Sequence, residues 1–193
     1  NIMNKLARSI LSLYSYSDIT ENTTIEDEMT IALDLIAKMP ILMDGAYQAK
    51  RHKYDNASLI MHPLRPEENT AESILSLIRS DRSYTKAEAQ LLDTLLALHA
   101  DHGGGNNSTF ACRVATSSGT DPFAAYTSAI NSLKGPRHGG ANIKVIQMLD
   151  DIKAHVKHWN DEGEVADYLT KILKKEANDG SGLIYGMGHA VYT

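Results

Sequence analysis

Three of the eight histidines in this 193-residue chain fall where a helix ends or begins with glycine beside them. His102 precedes the run Gly103, Gly104 and Gly105. His138 lies in "GPRHGGAN", residues 135 to 142, and His189 follows Gly186 and Gly188 in "YGMGHAVYT". An imidazole can move a proton or donate a hydrogen bond near neutral pH, and glycine lets a ligand approach the backbone. One such histidine alone reads as a ring satisfied by a backbone carbonyl; three in equivalent settings read as a site. "GPRHGGAN" is the most specific of them. Helical periodicity resumes at Ala141, so the N–H groups that open the next helix are unpaired and carry partial positive charge. That field disfavours an imidazolium, and a neutral ring there can donate a hydrogen bond to a carbonyl oxygen.

Other chemistries are less well supported. His99 and His102 are spaced to share one helical face and hold a metal, but no third ligand is evident, so no metal is expected. His155 and His158 repeat that spacing beside Lys153, Lys157 and Asp161 and read as a solvated face. Gly186 and Gly188 could wrap a nucleotide, yet a G-x-G-x-x-G fingerprint is missing, as are the G-x-x-x-x-G-K-[ST], G-x-S-x-G and H-E-x-x-H patterns.

The elements that must carry these loops are helical. Ile2, Leu6, Ile10 and Leu13 open an amphipathic helix. Thr23 with Glu26 reads as a capping box for a second helix, with Met29, Leu33 and Ile36 on its apolar face and a kink at Pro40. Asn69 with Glu72, and Thr85 with Glu88, mark two further starts, the latter running to the glycines at 103. A small, polar segment at 106 to 118 stops at Gly119, and Asp121 with Pro122 begins "PFAAYTSAINSLKG". Ile143, Ile146, Met148, Leu149 and Ile152 form a helix from Ala141, and Val165, Tyr168, Leu169, Ile172 and Leu173 one over 164 to 177. No alternating strand pattern appears, so the expected class is all-α, with Gly135 and Pro136 as the hinge.

A formal charge of -5 and a pI near 5.9, with no basic run, argue against nucleic acid. No apolar stretch approaches the ~20 residues of a membrane span, and Lys5 and Arg8 interrupt the first apolar run, so neither a membrane nor a signal peptide is expected. The single cysteine, Cys112, suits a reducing compartment, and a cytoplasmic location is the expectation. The chain reads as an excised piece.

With these segments in view, the sequence resembles the citrate synthase family. The matching stretches are "LHADHGGGNNSTF" (98 to 110), "SSGTDPFAAYTSAINSLKGPRHGGAN" (117 to 142) and "GLIYGMGHAVYT" (182 to 193). "LIAKMPILMDGAYQ" (35 to 48) and "HPLRP" (62 to 66) support them, in the family's order. The resemblance implies an all-helical enzyme that condenses oxaloacetate with acetyl-CoA and hydrolyses citryl-CoA, the first step of the tricarboxylic acid cycle. Residues 1–134 would belong to its large domain and 135–193 to the start of its small, mobile one. His138 would stabilise the enol of the acetyl thioester, His189 would polarise the oxaloacetate carbonyl, and His102 with Asn106 would hold oxaloacetate. Leu183, Gly186 and Gly188 would lie against CoA, a co-substrate; no permanently bound cofactor is implied.

The family's catalytic aspartate and substrate arginines would lie downstream of residue 193, so the isolated chain is expected to be inactive. Residues 2 to 15, 31 to 50, 106 to 118 and 121 to 134 correspond to helices with which the family forms a homodimer. Two alternatives stand beside this reading: 2-methylcitrate synthase, which takes propionyl-CoA, and a noncatalytic helical binding module of the same architecture.

Overall fold

A computed structural model describes residues 1–19, 23–100 and 105–188. Among them are eight α-helices and no strand. The chain divides into two compact units, Asn1–Lys134 and Gly135–Thr193.

The first unit contains α1 (Ile2–Ser12), α2 (Ile25–Tyr54), α3 (Thr70–Ile78), α4 (Lys86–Ala100), α5 (Asn107–Thr116) and α6 (Pro122–Leu133). A short 3-10 turn, Leu13–Tyr16, extends α1. Leu6 and Ile10 of α1 face Ile31 and Leu35 of α2 and Phe123 of α6, and these five side chains make the main core. Each contributes roughly 1.5–3 kcal/mol through removal from water. Tyr14 meets Phe123 edge to face at 6.3 Å.

Local chemistry sets the helix starts. Asn69 and Glu72 exchange side-chain-to-backbone bonds of 2.9 Å at the start of α3, and Thr85 and Glu88 exchange bonds of 2.8 and 3.2 Å before α4. Asp121 caps α6 through Ala124 N–H, with Pro122 in the first turn. The start of α2 lies one residue later than the sequence suggests: the reciprocal pair is Thr24 with Asp27, not Thr23 with Glu26. Thr23 instead donates to Glu28. Asp27 is an equally good partner at the third helical position, and two adjacent threonines make both registers readable.

The buried face of α2 also departs from expectation. Met29, Leu33 and Ile36 are exposed, whereas Ile31, Leu35, Asp44, Ala46 and Gln48 are buried. A helix apolar around much of its girth leaves periodicity unable to choose a face. The helix continues without a break through Pro40. Buried Asp44 accepts a hydrogen bond from Gln48, which also donates to the carbonyl of Ile78 at the end of α3. Burial pushes the Asp44 carboxyl up from its ordinary value, opposed by that bond and by His62.

The second unit contains α7 (Ala141–His155) and α8 (Glu162–Leu173). Met148, Ile152 and Val156 pack with Ile172, and Tyr168, Leu169, Ile184 and Tyr185 close around them. Ile143, Ile146 and Leu149 are exposed instead. The last helix starts before residue 164 because Asp161 caps it through Gly163 and Glu164 N–H, and it ends at Leu173 rather than Ala177. Beyond it the backbone turns left-handed at Lys175, Asn178, Gly180 and Gly182. Among the described residues no helix is long and apolar enough to cross a membrane.

Candidate functional site

The turn carrying His138 is built from backbone. His138 N–H and Gly139 N–H both donate to the carbonyl of Gly135 at 3.0 Å, folding residues 135–140 into a knot directly ahead of α7. Gly140 is the cap residue of α7 and, being glycine, supplies no side-chain cap bond. The requirement for glycine at 140 is steric. A Cβ there would stand 2.3 Å from the carbonyl oxygen of Pro136. His138 itself is half-buried.

Gly186 and Gly188 adopt φ values of +88° and +80°, which side-chain-bearing residues rarely accept. A Cβ on Gly186 would approach Val145 of α7 to 3.2 Å. Within the second unit the structure thus brings the loop at 183–188 against α7, the helix that follows the His138 turn. Leu183 is exposed, and its N–H donates to Ser181 Oγ. His189 lies outside the described residues, as does His102.

Asn106 belongs to the first unit and caps α5, its Oδ1 accepting from Ser108 and Thr109 N–H at 2.7 and 3.2 Å. The family resemblance implies a place for Asn106 on the oxaloacetate side; in the structure its Oδ1 opens α5. The N-cap preference of asparagine ahead of Asn107 and Ser108 is the signal for that role.

His99, His155 and His158 hold local bonds. His99 Nδ1 lies 2.7 Å from the carbonyl of Leu95, one turn back in α4. His155 is bonded to the carbonyl of Asp151 and stacks on Tyr168, and exposed His158 meets Glu164 at 2.9 Å. Burial, followed by the bond to Asp151, pushes the Tyr168 hydroxyl up to about 12. Among the described residues no group of three or more His, Cys, Asp or Glu side chains is placed to hold a metal.

One constellation escaped the sequence reading. Asp179 accepts from Lys144 Nζ at 3.0 Å, from Tyr185 Oη at 2.7 Å and from Ser181 N–H at 3.1 Å. The Ser181 hydroxyl first, then Tyr185, Lys144 and the Ser181 N–H, hold its carboxyl well below the usual carboxylate range. The run "NDGSG" signals a turn stabilised by an aspartate side chain two residues back, but not the lysine 35 residues away that joins it.

These features define a class: an all-helical protein in two units, with histidine and glycine turns set against helix starts. Comparison with known proteins narrows it. The family model described as citrate synthase, C-terminal domain, matches residues 1–193. Citrate synthase of Corynebacterium glutamicum is 34% identical over 194 residues, covering 98% of this chain and 41% of the relative. Citrate synthases of Helicobacter pylori and Haloferax volcanii are each 33% identical, covering 95% of this chain and 42% and 44% of their own lengths. The chain belongs to the citrate synthase family, and it spans about two-fifths of the length of these curated relatives.

Proposed function

We propose that the protein carrying this chain is an acyltransferase that condenses oxaloacetate with acetyl-CoA and water, giving citrate and CoA. The observation that carries the reading is the family match along the whole chain, with His138 held in a backbone-built turn directly ahead of α7. In this scheme a base removes a proton from the thioester methyl group, and His138 donates a hydrogen bond to the thioester oxygen as charge grows there. His189 polarises the oxaloacetate carbonyl, and the enol carbon attacks it. Water then cleaves the resulting citryl thioester and releases CoA. Preorganised donors of this kind cost no reorganisation at the moment of reaction, and an enolising centre needs a ring that donates without first losing its proton.

Asn106 and His102 would sit on the oxaloacetate side, and Leu183, Gly186 and Gly188 would meet CoA. Residues 1–134 would be part of the large domain and 135–193 the start of the mobile one, in a cytoplasmic homodimer. The exposed apolar pair Phe110 and Val114, one turn apart on α5, supports an interface there.

The test is thiol release by the complete protein, with oxaloacetate and either acetyl-CoA or propionyl-CoA. Acetyl-CoA is expected to be preferred, and His138→Ala should lower kcat by about 10²–10⁴-fold. A preference for propionyl-CoA would make the protein a 2-methylcitrate synthase, a distinction of one methylene worth only ~1–3 kcal/mol. No release with either thioester would favour a noncatalytic helical module.

A further inference from the structure

Lys144, in the first turn of α7 and six residues after His138, reaches across to the segment that follows α8. Its Nζ lies 3.0 Å from Asp179 Oδ2 and 5.7 Å from the centre of the Tyr185 ring. Tyr185 returns its hydroxyl to the same carboxylate oxygen at 2.7 Å and lies 3.2 Å from Ser181 Oγ. Ser181 Oγ also accepts from Leu183 N–H. The turn between them closes with Met187 N–H on the carbonyl of Ile184, and Ile184 and Tyr185 rest on the second unit's apolar core.

We propose that Lys144, Asp179 and Tyr185 form a clamp that positions the glycine loop at 183–188 on α7, and that Lys144 is a positioning residue for the thioester co-substrate. The catalytic meaning of the clamp rests on the function proposed above; the clamp itself does not. An exposed ion pair contributes little by itself, and Lys144 is 46% exposed. One carboxylate that gathers an ammonium, a phenol and a backbone N–H does something different. It fixes where a loop of unusually free backbone sits. Glycines at +88° and +80° give that loop many conformations. A loop ordered before the ligand arrives spares the ligand that ordering cost.

The experiment compares Lys144→Ala and Lys144→Arg with wild type in the complete protein, with two readouts. Amide hydrogen exchange over residues 181–188 should quicken in Lys144→Ala while the α8 amides stay unchanged, and Lys144→Arg should restore the protection. In thiol release, Lys144→Ala should raise the KM for acetyl-CoA by about 3–10-fold with kcat within about twofold, the signature of lost uniform binding. Unchanged exchange in Lys144→Ala would overturn the clamp whatever the kinetics. Faster exchange with an unchanged KM would overturn the positioning role. If wild type releases no thiol, the functional reading fails, and exchange alone still decides the clamp.

Discussion

Gly140→Ala separates two physical effects of opposite sign. Gly140 has φ −76° and ψ −15°, angles an alanine accepts without strain. On backbone preference alone the substitution would stabilise the protein by about 0.4–1 kcal/mol, because alanine restricts the unfolded chain. Packing opposes this. The new Cβ would stand 2.3, 2.8 and 2.9 Å from the O, Cα and C atoms of Pro136, against an optimal separation of ~3.5–4.0 Å. All three atoms are backbone, so no rotamer change relieves the contact; the knot at 135–140 must open by roughly 1 Å. Overpacking of this kind costs about 1–3 kcal/mol, which leaves a net loss centred on about 1 kcal/mol. For a domain of 60–100 residues that corresponds to a fall in Tm of about 4–8 °C. Gly105→Ala is the control, because a Cβ there meets nothing within 4 Å and its φ is not in the left-handed region. Thermal unfolding followed by circular dichroism, with exchange of the first α7 amides, reads both. If Gly140→Ala melts at or above wild type, the turn is soft and Pro136 does not demand the glycine.

Two further outcomes follow from the packing and the charges. Ile172→Ala, which empties a site of 0% exposure at the centre of the second unit's core, should destabilise that unit by about 2–5 kcal/mol in a denaturant titration. Arg79, then the Thr85 backbone, holds the Glu88 carboxyl down to about 2. A depressed folded-state value means its stabilisation is complete above the ordinary carboxylate range near 4.5 and is lost as pH falls toward about 2. The difference in unfolding midpoint between wild type and Glu88→Gln should therefore shrink across that window.

The helical fold was readable because its start signals are local. Asn69 with Glu72, Thr85 with Glu88 and Asp121 with Pro122 each fix a boundary within four residues, and the structure uses all three. The face of α2 was not readable. Met29, Leu33 and Ile36 repeat as regularly as Ile31 and Leu35, and only the tertiary partners Leu6, Ile10 and Phe123 decide between them. At the candidate site, His138 stood out because glycines and a helix start surround it within eight residues. The clamp on Asp179 did not, because its lysine comes from another helix, and no periodicity encodes a bond between Lys144 and Asp179. Gly140 lay between these cases: its freedom suggested room for a ligand, whereas the structure gives it a steric reason to be glycine.

Helix α4 carries a consequence of its own. Of its fifteen residues only Ala89 is buried, while Leu91, Leu95 and Leu98 face outward. Helices of this length are marginal in water without tertiary support, so its distal turns should breathe freely wherever those leucines lack company. The α4 amides therefore make a built-in gauge of assembly, trading deuterium quickly when bare and slowly once another surface has settled on them.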